Sequence, residues 1–262
     1  MPKVLHPQSG ITTKLFHMSY ELEDLNGKVV VITGATSGIG RETARGMIAQ
    51  GAKVILNARN ESDLKALCEE LSDKNAAYVA GDCSDPEVSR KIAARAIEKF
   101  GTIDILVPNA GVGLYGSIFD WSDDEINNMI RTNFEGTVHL VRGCAQTMVD
   151  KGTGDIIIVC SVAGYHGAAK EAVYAGTKHA QVGLAAGLDR ELREKGIRVS
   201  LVAPAGVSTN FAMGTGRTPG MPRLEIYLKP EEVAAQIIYI ARQPRSVRTT
   251  LMTVWSMDQQ SS

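Results

Sequence analysis

The sequence predicts one α/β domain built as a doubly wound parallel sheet of about seven strands with helices on both faces. Three observations predict it. Short β-branched runs alternate with longer segments of helical period along most of the chain. The runs are continuously apolar, as strands buried on both faces are. The first run also delivers a glycine-rich turn directly into a helix, and in such sheets ligands bind outside the strands' C-terminal ends at the topological switch point.

Taken in order, residues 28–33 read as a buried strand, followed by a helix over 40–50 that ends at Gly51. Residues 53–57 form the second strand and 62–72 the second helix. A third strand spans 77–80, and Asp85-Pro86 opens a helix over 86–100. Residues 103–107 are the fourth strand, and a long helical segment covers 123–150 before a strand over 155–160. The next helix runs to about Lys195, with Gly196 as its C-cap, and 197–202 is the sixth strand. Residues 209–229, rich in Gly, Pro and Met, read as a mobile segment. A last helix covers 230–242 and a seventh strand 249–254. No internal repeat or interdomain linker interrupts this order, so 27–262 is expected to be one domain behind an arm of residues 1–26.

Bulk properties narrow the function. At 262 residues the chain buries roughly three quarters of its unfolded surface. A net charge of −1 argues against non-specific binding to nucleic acid or an anionic membrane. No apolar run approaches the ~20 residues that span a bilayer, and residues 1–26 lack the apolar core of a secretory signal. Cys68, Cys83, Cys144 and Cys160 are scattered without zinc spacing, which fits reduced thiols in a cytoplasmic protein that binds no metal.

The stretch Thr33-Gly34-Ala35-Thr36-Ser37-Gly38-Ile39-Gly40 joins the first strand to the first helix. Such a turn lets backbone N–H groups approach a pyrophosphate while the helix dipole favours its charge. Its G-x-x-x-G-x-G spacing differs from the G-x-G-x-x-G fingerprint, and a glycine turn needed only for packing is the plainer alternative. The second strand ends in Asn57-Ala58-Arg59-Asn60, with no carboxylate for a ribose 2′-hydroxyl. An arginine there suits the extra phosphate of NADP.

Tyr174 and Lys178 stand four residues apart on one helix and so share a face. A lone Tyr-x-x-x-Lys arises by chance in roughly a third of such chains. Ser161 upstream, after a strand, makes the set far rarer. A phenol near pKa 10 needs help to lose a proton at neutral pH, and a nearby ammonium lowers its pKa. Ser161 can donate to a carbonyl oxygen as charge develops on it. Together these groups suit general acid/base chemistry at a carbonyl.

On these residues the chain resembles the short-chain dehydrogenase/reductase family from about residue 27 onward. The further matches are Asp82, Asn109-Ala110-Gly111, Asn133 and Pro204-Ala205-Gly206. The resemblance implies a Rossmann-type fold and a homotetramer or homodimer. It implies Tyr174 as general acid/base, Ser161 orienting the carbonyl, and Lys178 on the nicotinamide ribose and tuning the tyrosine. Asn133 is implied to hold a water in a proton relay. Cofactor contacts are implied for Gly34, Thr36, Ser37, Gly38, Ile39, Gly40, Arg59, Asn60, Asp82, Cys83, Asn109, Ala110, Gly111, Tyr174 and Lys178. Pro204, Gly206, Val207 and Thr209 are implied to flank its nicotinamide end. Pro108 stands where the family often has another asparagine, and the tail 247–255 departs from the 3-oxoacyl reductases. It is more similar to the NADP-dependent 3-hydroxy acid/serine dehydrogenases and broad carbonyl reductases.

The substrate pocket is expected among Val112, Leu114, Tyr115, Gly164, Tyr165, His166, Ala205, Phe211 and Met213, within a substrate segment over 207–228. Arg217 and Arg223 can clamp a carboxylate, though solvation is their plainer role. His166 reads as a pocket or surface residue, and Met213 and Met221 as packing. The functions left open are an NADP-dependent carbonyl reductase or alcohol dehydrogenase, a 3-oxoacyl-thioester reductase, and a non-catalytic NADP sensor.

Overall fold

The structure is a computed structural model that describes residues 21–260. Most of the expected arm therefore lies outside the described residues. Seven strands form one parallel sheet in the order β3-β2-β1-β4-β5-β6-β7. They are β1 (Val29–Thr33), β2 (Lys53–Ala58), β3 (Ala76–Ala80), β4 (Ile105–Val107), β5 (Gly154–Val159), β6 (Ile197–Pro204) and β7 (Leu251–Val254). The helices are α1 (Gly38–Ala49), α2 (Glu61–Leu71), α3 (Pro86–Phe100), α4 (Asp123–Ile130), α5 (Gly136–Lys151), α6 (Ala172–Leu192) and α7 (Pro230–Ala241).

The strand order reverses between β1 and β4, which pair through Val30↔Ile105, Val31↔Leu106 and Ile32↔Val107. Strand alternation splits β1 between two cores. Val30 and Ile32 pack with α1, α2 and α7 side chains such as Met47, Leu64 and Ile237. Val29 and Val31 pack with α3, α5 and α6 side chains such as Ile92, Met148 and Leu192. The sheet is thus covered on both faces, and among the described residues no helix is long and apolar enough to cross a membrane. The four cysteines are free and buried.

Three boundaries differ from the sequence reading for physical reasons. β4 begins at Ile105 because the Asp104 carboxylate accepts from the Val29 N–H at 2.8 Å, taking a ladder partner's place. The long helix over 123–150 is broken by a π-turn at Arg131–Glu135, which keeps the apolar period and so leaves no mark in the pattern. β6 extends to Pro204, which pairs with Val254 of the edge strand; proline is tolerated there because it closes the strand.

At the opposite end of the strands from the glycine turn, the starts of β5 and β6 are joined by a buried ion pair. Arg198 donates to Asp155 through Nε at 2.5 Å and Nη2 at 3.2 Å. Its Nη1 reaches the carbonyls of Gln243, Pro244 and Val247 at 2.9, 3.0 and 3.0 Å. Arg245 adds a second guanidinium on Asp155 at 3.0 Å.

Candidate active site

The glycine turn is held by the neighbouring strand. Asn109, just past β4, donates through Nδ2 to the carbonyls of Thr33 and Gly34 at 2.9 and 3.2 Å. The backbone N–H groups of Asn109 and Ala110 both donate to Thr33 Oγ1 at 3.1 Å. Gly34 turns with φ of 63° and Gly38 with φ of 51°, the left-handed region that disfavours side chains. A β-carbon on Gly40 would overlap the Gly34 carbonyl and the Asn109 amide, so only glycine lets α1 start this close to β1.

At the N-terminus of α1 the Ser37 side chain makes no capping bond and the first turn has no acidic residue. The partial positive charge of the helix end is therefore uncompensated by the chain's own side chains. Thr36 and Ile39 flank this turn, and Thr209 lies against Gly38. Arg59 is exposed just beyond β2. Asn60 caps α2, accepting from Ser62 N and Ser62 Oγ at 3.0 and 2.7 Å. Asp82 accepts from Ser84 N at 2.8 Å, and burial pushes the Cys83 thiol up to about 12.

The groups expected to carry acid/base chemistry converge where β5 meets α6. Tyr174 is 5% exposed and Lys178 4%. Ser161 follows β5, and its Oγ accepts from Ala163 N at 3.1 Å, capping the short turn Val162–Gly164. That bond uses a lone pair and leaves the hydroxyl proton free to donate. The Lys178 Nζ lies 5.8 Å from the Tyr174 ring centroid and donates to the Val159 carbonyl at 3.2 Å.

In the chain alone, burial outweighs the pull expected of Lys178 on the Tyr174 phenol. Burial holds Tyr174 well above its ordinary value of 10.0, with Tyr115 pushing the same way and Ser161 opposing. Burial also lowers Lys178 from 10.5, which weakens the charge expected to act on the phenol. Spacing on a helix gives proximity but says nothing of desolvation.

Asn133 sits in the π-turn and is fully buried. Its side chain accepts from Val112 N at 2.8 Å and donates to Val112 O and Thr177 Oγ1, both at 3.0 Å. Its carbonyl accepts from Thr137 Oγ1 at 3.0 Å and from Gln181 Nε2 at 2.8 Å. A side-chain amide therefore reaches the backbone carbonyl of the residue to which the resemblance assigns a water. Sequence reasoning missed Gln181, Thr137 and Thr177; their positions facing Asn133 on two helices were the available signal.

Around Tyr174 the pocket residues form an aromatic wall. Tyr115 and Phe211 stand 5.5 and 5.9 Å from its ring centroid. Val112 and Leu114 pack on the same cluster. Tyr165 is half-buried and His166 is exposed, placing the histidine at the surface. Segment 205–229 is closed on itself by the pairing of Val207 with Leu228 and by Ser208 N donating to Leu228 O at 2.8 Å. Met213 lies half-buried within it, and Gly206 faces Tyr227. Arg223 is exposed. Arg217 is not simply solvated: its guanidinium lies 5.2–6.0 Å from the rings of Tyr227, Phe211 and Tyr115 and donates to Val207 O at 2.9 Å.

Together the fold and the site define an oxidoreductase built on a dinucleotide-binding sheet. The family model for short chain dehydrogenases matches residues 28–219, and the chain belongs to that family. An uncharacterized oxidoreductase of Staphylococcus saprophyticus is 33% identical over 234 residues, covering 88% of this chain and 98% of its own. An alcohol dehydrogenase of the archaeon Thermococcus sibiricus, solved with 5-hydroxy-NADP, is 28% identical with a TM-score of 0.82, covering 90% of this chain and 99% of its own. The closed form of a serine dehydrogenase with NADP+ is 29% identical with a TM-score of 0.84, covering 89% of this chain and 97% of its own.

Proposed function

We propose that the protein is an NADP(H)-dependent oxidoreductase interconverting a small carbonyl compound and its alcohol: a ketone, an aldehyde or a 3-hydroxy acid. The observation that carries this reading is the convergence of Ser161, Tyr174 and Lys178 beside a clasped glycine turn. NADP in the related solved structures supports the cofactor. So do Arg59 and the lack of a carboxylate at the end of β2. The uncapped, acid-free N-terminus of α1 fits a pyrophosphate.

When bound, the nicotinamide supplies or takes the hydride, and its oxidised form brings a positive charge near the phenol. Tyr174 gives a proton to the substrate oxygen in reduction and takes it back in oxidation. Ser161 donates to the same oxygen and stabilises the charge that develops there, worth roughly a hundredfold to a thousandfold in such sites. Lys178 holds its ammonium beside the ring. Tyr115 and Phe211 make the adjoining pocket wall apolar, which keeps water from the reacting oxygen.

The test is nicotinamide absorbance with NADPH and with NADH against small ketones, aldehydes and 3-oxo esters, with 3-hydroxy acids and serine run in reverse. Tyr174→Phe is expected to lower turnover at least ~10²-fold while leaving NADPH affinity unchanged. Unaltered turnover in that variant would remove Tyr174 from the chemistry. Binding of NADPH without turnover of any substrate class would favour a sensor instead.

A further inference from the structure

A buried polar bridge between α5 and α6 plays no part in the steps above. Gln181 is fully buried, one helical turn beyond Lys178. Its Oε1 accepts from Lys178 Nζ at 2.9 Å. Its Nε2 donates to the Asn133 carbonyl and to Thr137 Oγ1, both at 2.8 Å. Chemistry fixes the amide's orientation: an ammonium only donates and a carbonyl only accepts, so the oxygen faces Lys178 and the nitrogen faces Asn133. The Asn133 carbonyl is reachable because it sits in the π-turn, where a widened helix admits a side chain.

We propose that Gln181 is a positioning residue for the proton chemistry, tying the Lys178 ammonium to the Asn133 peptide through its own amide. The inference rests on the acid/base reading of Tyr174 and Lys178. Water in such a place both accepts and donates, and so passes protons along. An amide nitrogen has no free lone pair, so it cannot take up one proton while releasing another. The bridge therefore holds Lys178 in place.

Gln181 acts on the reaction through the charge of Lys178. The other titratable or charged groups facing Tyr174 are Tyr115 after β4, Cys160 at the end of β5, and Glu171 at the start of α6. Arg217 and Tyr227 of segment 205–229 stand beyond Tyr115. None of these touches the amide of Gln181, so substituting it alters the Lys178 contribution alone.

Two variants separate hydrogen bonding from packing. Gln181→Leu keeps the volume and removes every hydrogen bond, whereas Gln181→Ala leaves space that water can fill between Lys178 and Asn133. Gln181→Met replaces the leucine variant if that chain does not fold, and thermal unfolding reports folding for each. In the oxidation direction Tyr174 must be a phenolate, so kcat rises with pH. A displaced or less charged Lys178 favours the phenolate less, so the rising limb moves to higher pH.

For Gln181→Leu the expected result is a kcat lower by at least tenfold, an unchanged KM, and a rising limb shifted upward. Gln181→Ala is expected to stay nearer the wild type. A second readout needs no substrate: the Lys178 amine correlation in a ¹⁵N-lysine NMR spectrum, assigned by its loss in Lys178→Met. That signal is expected to be protected from solvent exchange in the wild type and to broaden in Gln181→Leu. A protein that turned over no substrate would sink the proposed function, yet this measurement would still test the bridge. An unshifted limb, an alanine variant no better than leucine, or an unchanged Lys178 signal would overturn the proposal.

Discussion

Arg198→Met isolates what holds the sheet together from what the site does. Arg198 is 7% exposed, and the substitution removes a bidentate pair with Asp155 together with three bonds to the carbonyls of Gln243, Pro244 and Val247. Breaking a buried ion pair by deleting one partner costs about 3–5 kcal/mol. Arg245 remains on Asp155 at 3.0 Å, so the stranded carboxylate keeps one partner and the lower end, about 3 kcal/mol, applies. With a urea slope near 3 kcal/mol/M for a chain of this size, the unfolding midpoint should fall by roughly 1 M. Urea unfolding followed by tryptophan fluorescence measures that shift. Fluorescence titration with NADPH below the transition should give the wild-type affinity, because the pair lies at the opposite end of the strands from the glycine turn. A midpoint within 0.3 M of wild type, taken as roughly 1 kcal/mol at that slope, would refute the ion-pair reasoning. A large loss of NADPH affinity in the folded variant would refute the separation of the two ends of the sheet.

Gly40→Ala should weaken NADPH binding at least tenfold, because its β-carbon meets the Gly34 carbonyl and the Asn109 amide and pushes α1 off the turn; isothermal calorimetry reads the loss. Arg59→Asp should move the NADPH-to-NADH preference toward NADH by about tenfold to a hundredfold, since a charge-assisted bond to the 2′-phosphate is lost and a carboxylate for the ribose is gained; the ratio of kcat/KM values with the two cofactors tests it. Burial places the Tyr174 phenol well above 10.0, so the protonated form required for reduction is present throughout neutral pH. The phenolate required for oxidation grows as pH rises, so oxidation should accelerate from pH 7 to pH 10 while reduction does not. A pH profile of kcat in both directions checks the sign, and an oxidation rate that fell over that range would contradict it.

The sheet and the glycine turn were legible because apolar runs and fixed spacings are local properties of the chain. Ser161, Tyr174 and Lys178 were legible for the same reason, since one helical turn and one strand end place them together. Gln181 was not, because nothing in the order of residues says that α6 lays it against the Asn133 carbonyl. The π-turn at Arg131–Glu135 was hidden by a helical period that one widened turn scarcely disturbs. Spacing reports the neighbours of Tyr174 but leaves out the water that folding removes, whose loss raises the phenol. Arg217 looked solvated on a glycine-rich stretch, and only the folded segment brings three aromatic rings around it.

The clasp of Asn109 on Thr33 and Gly34 makes one wall of the site a fixed part of the sheet. The facing wall is a loop whose ends meet at Val207 and Leu228, so its interior can be rewritten without disturbing either strand. The molecule is therefore modular in an evolutionary sense. On the proposed function, its grip on a dinucleotide belongs to the scaffold, while its choice of substrate would reside in an exchangeable cassette. Transplanting the loop between relatives should carry substrate preference with it and leave the cofactor behind.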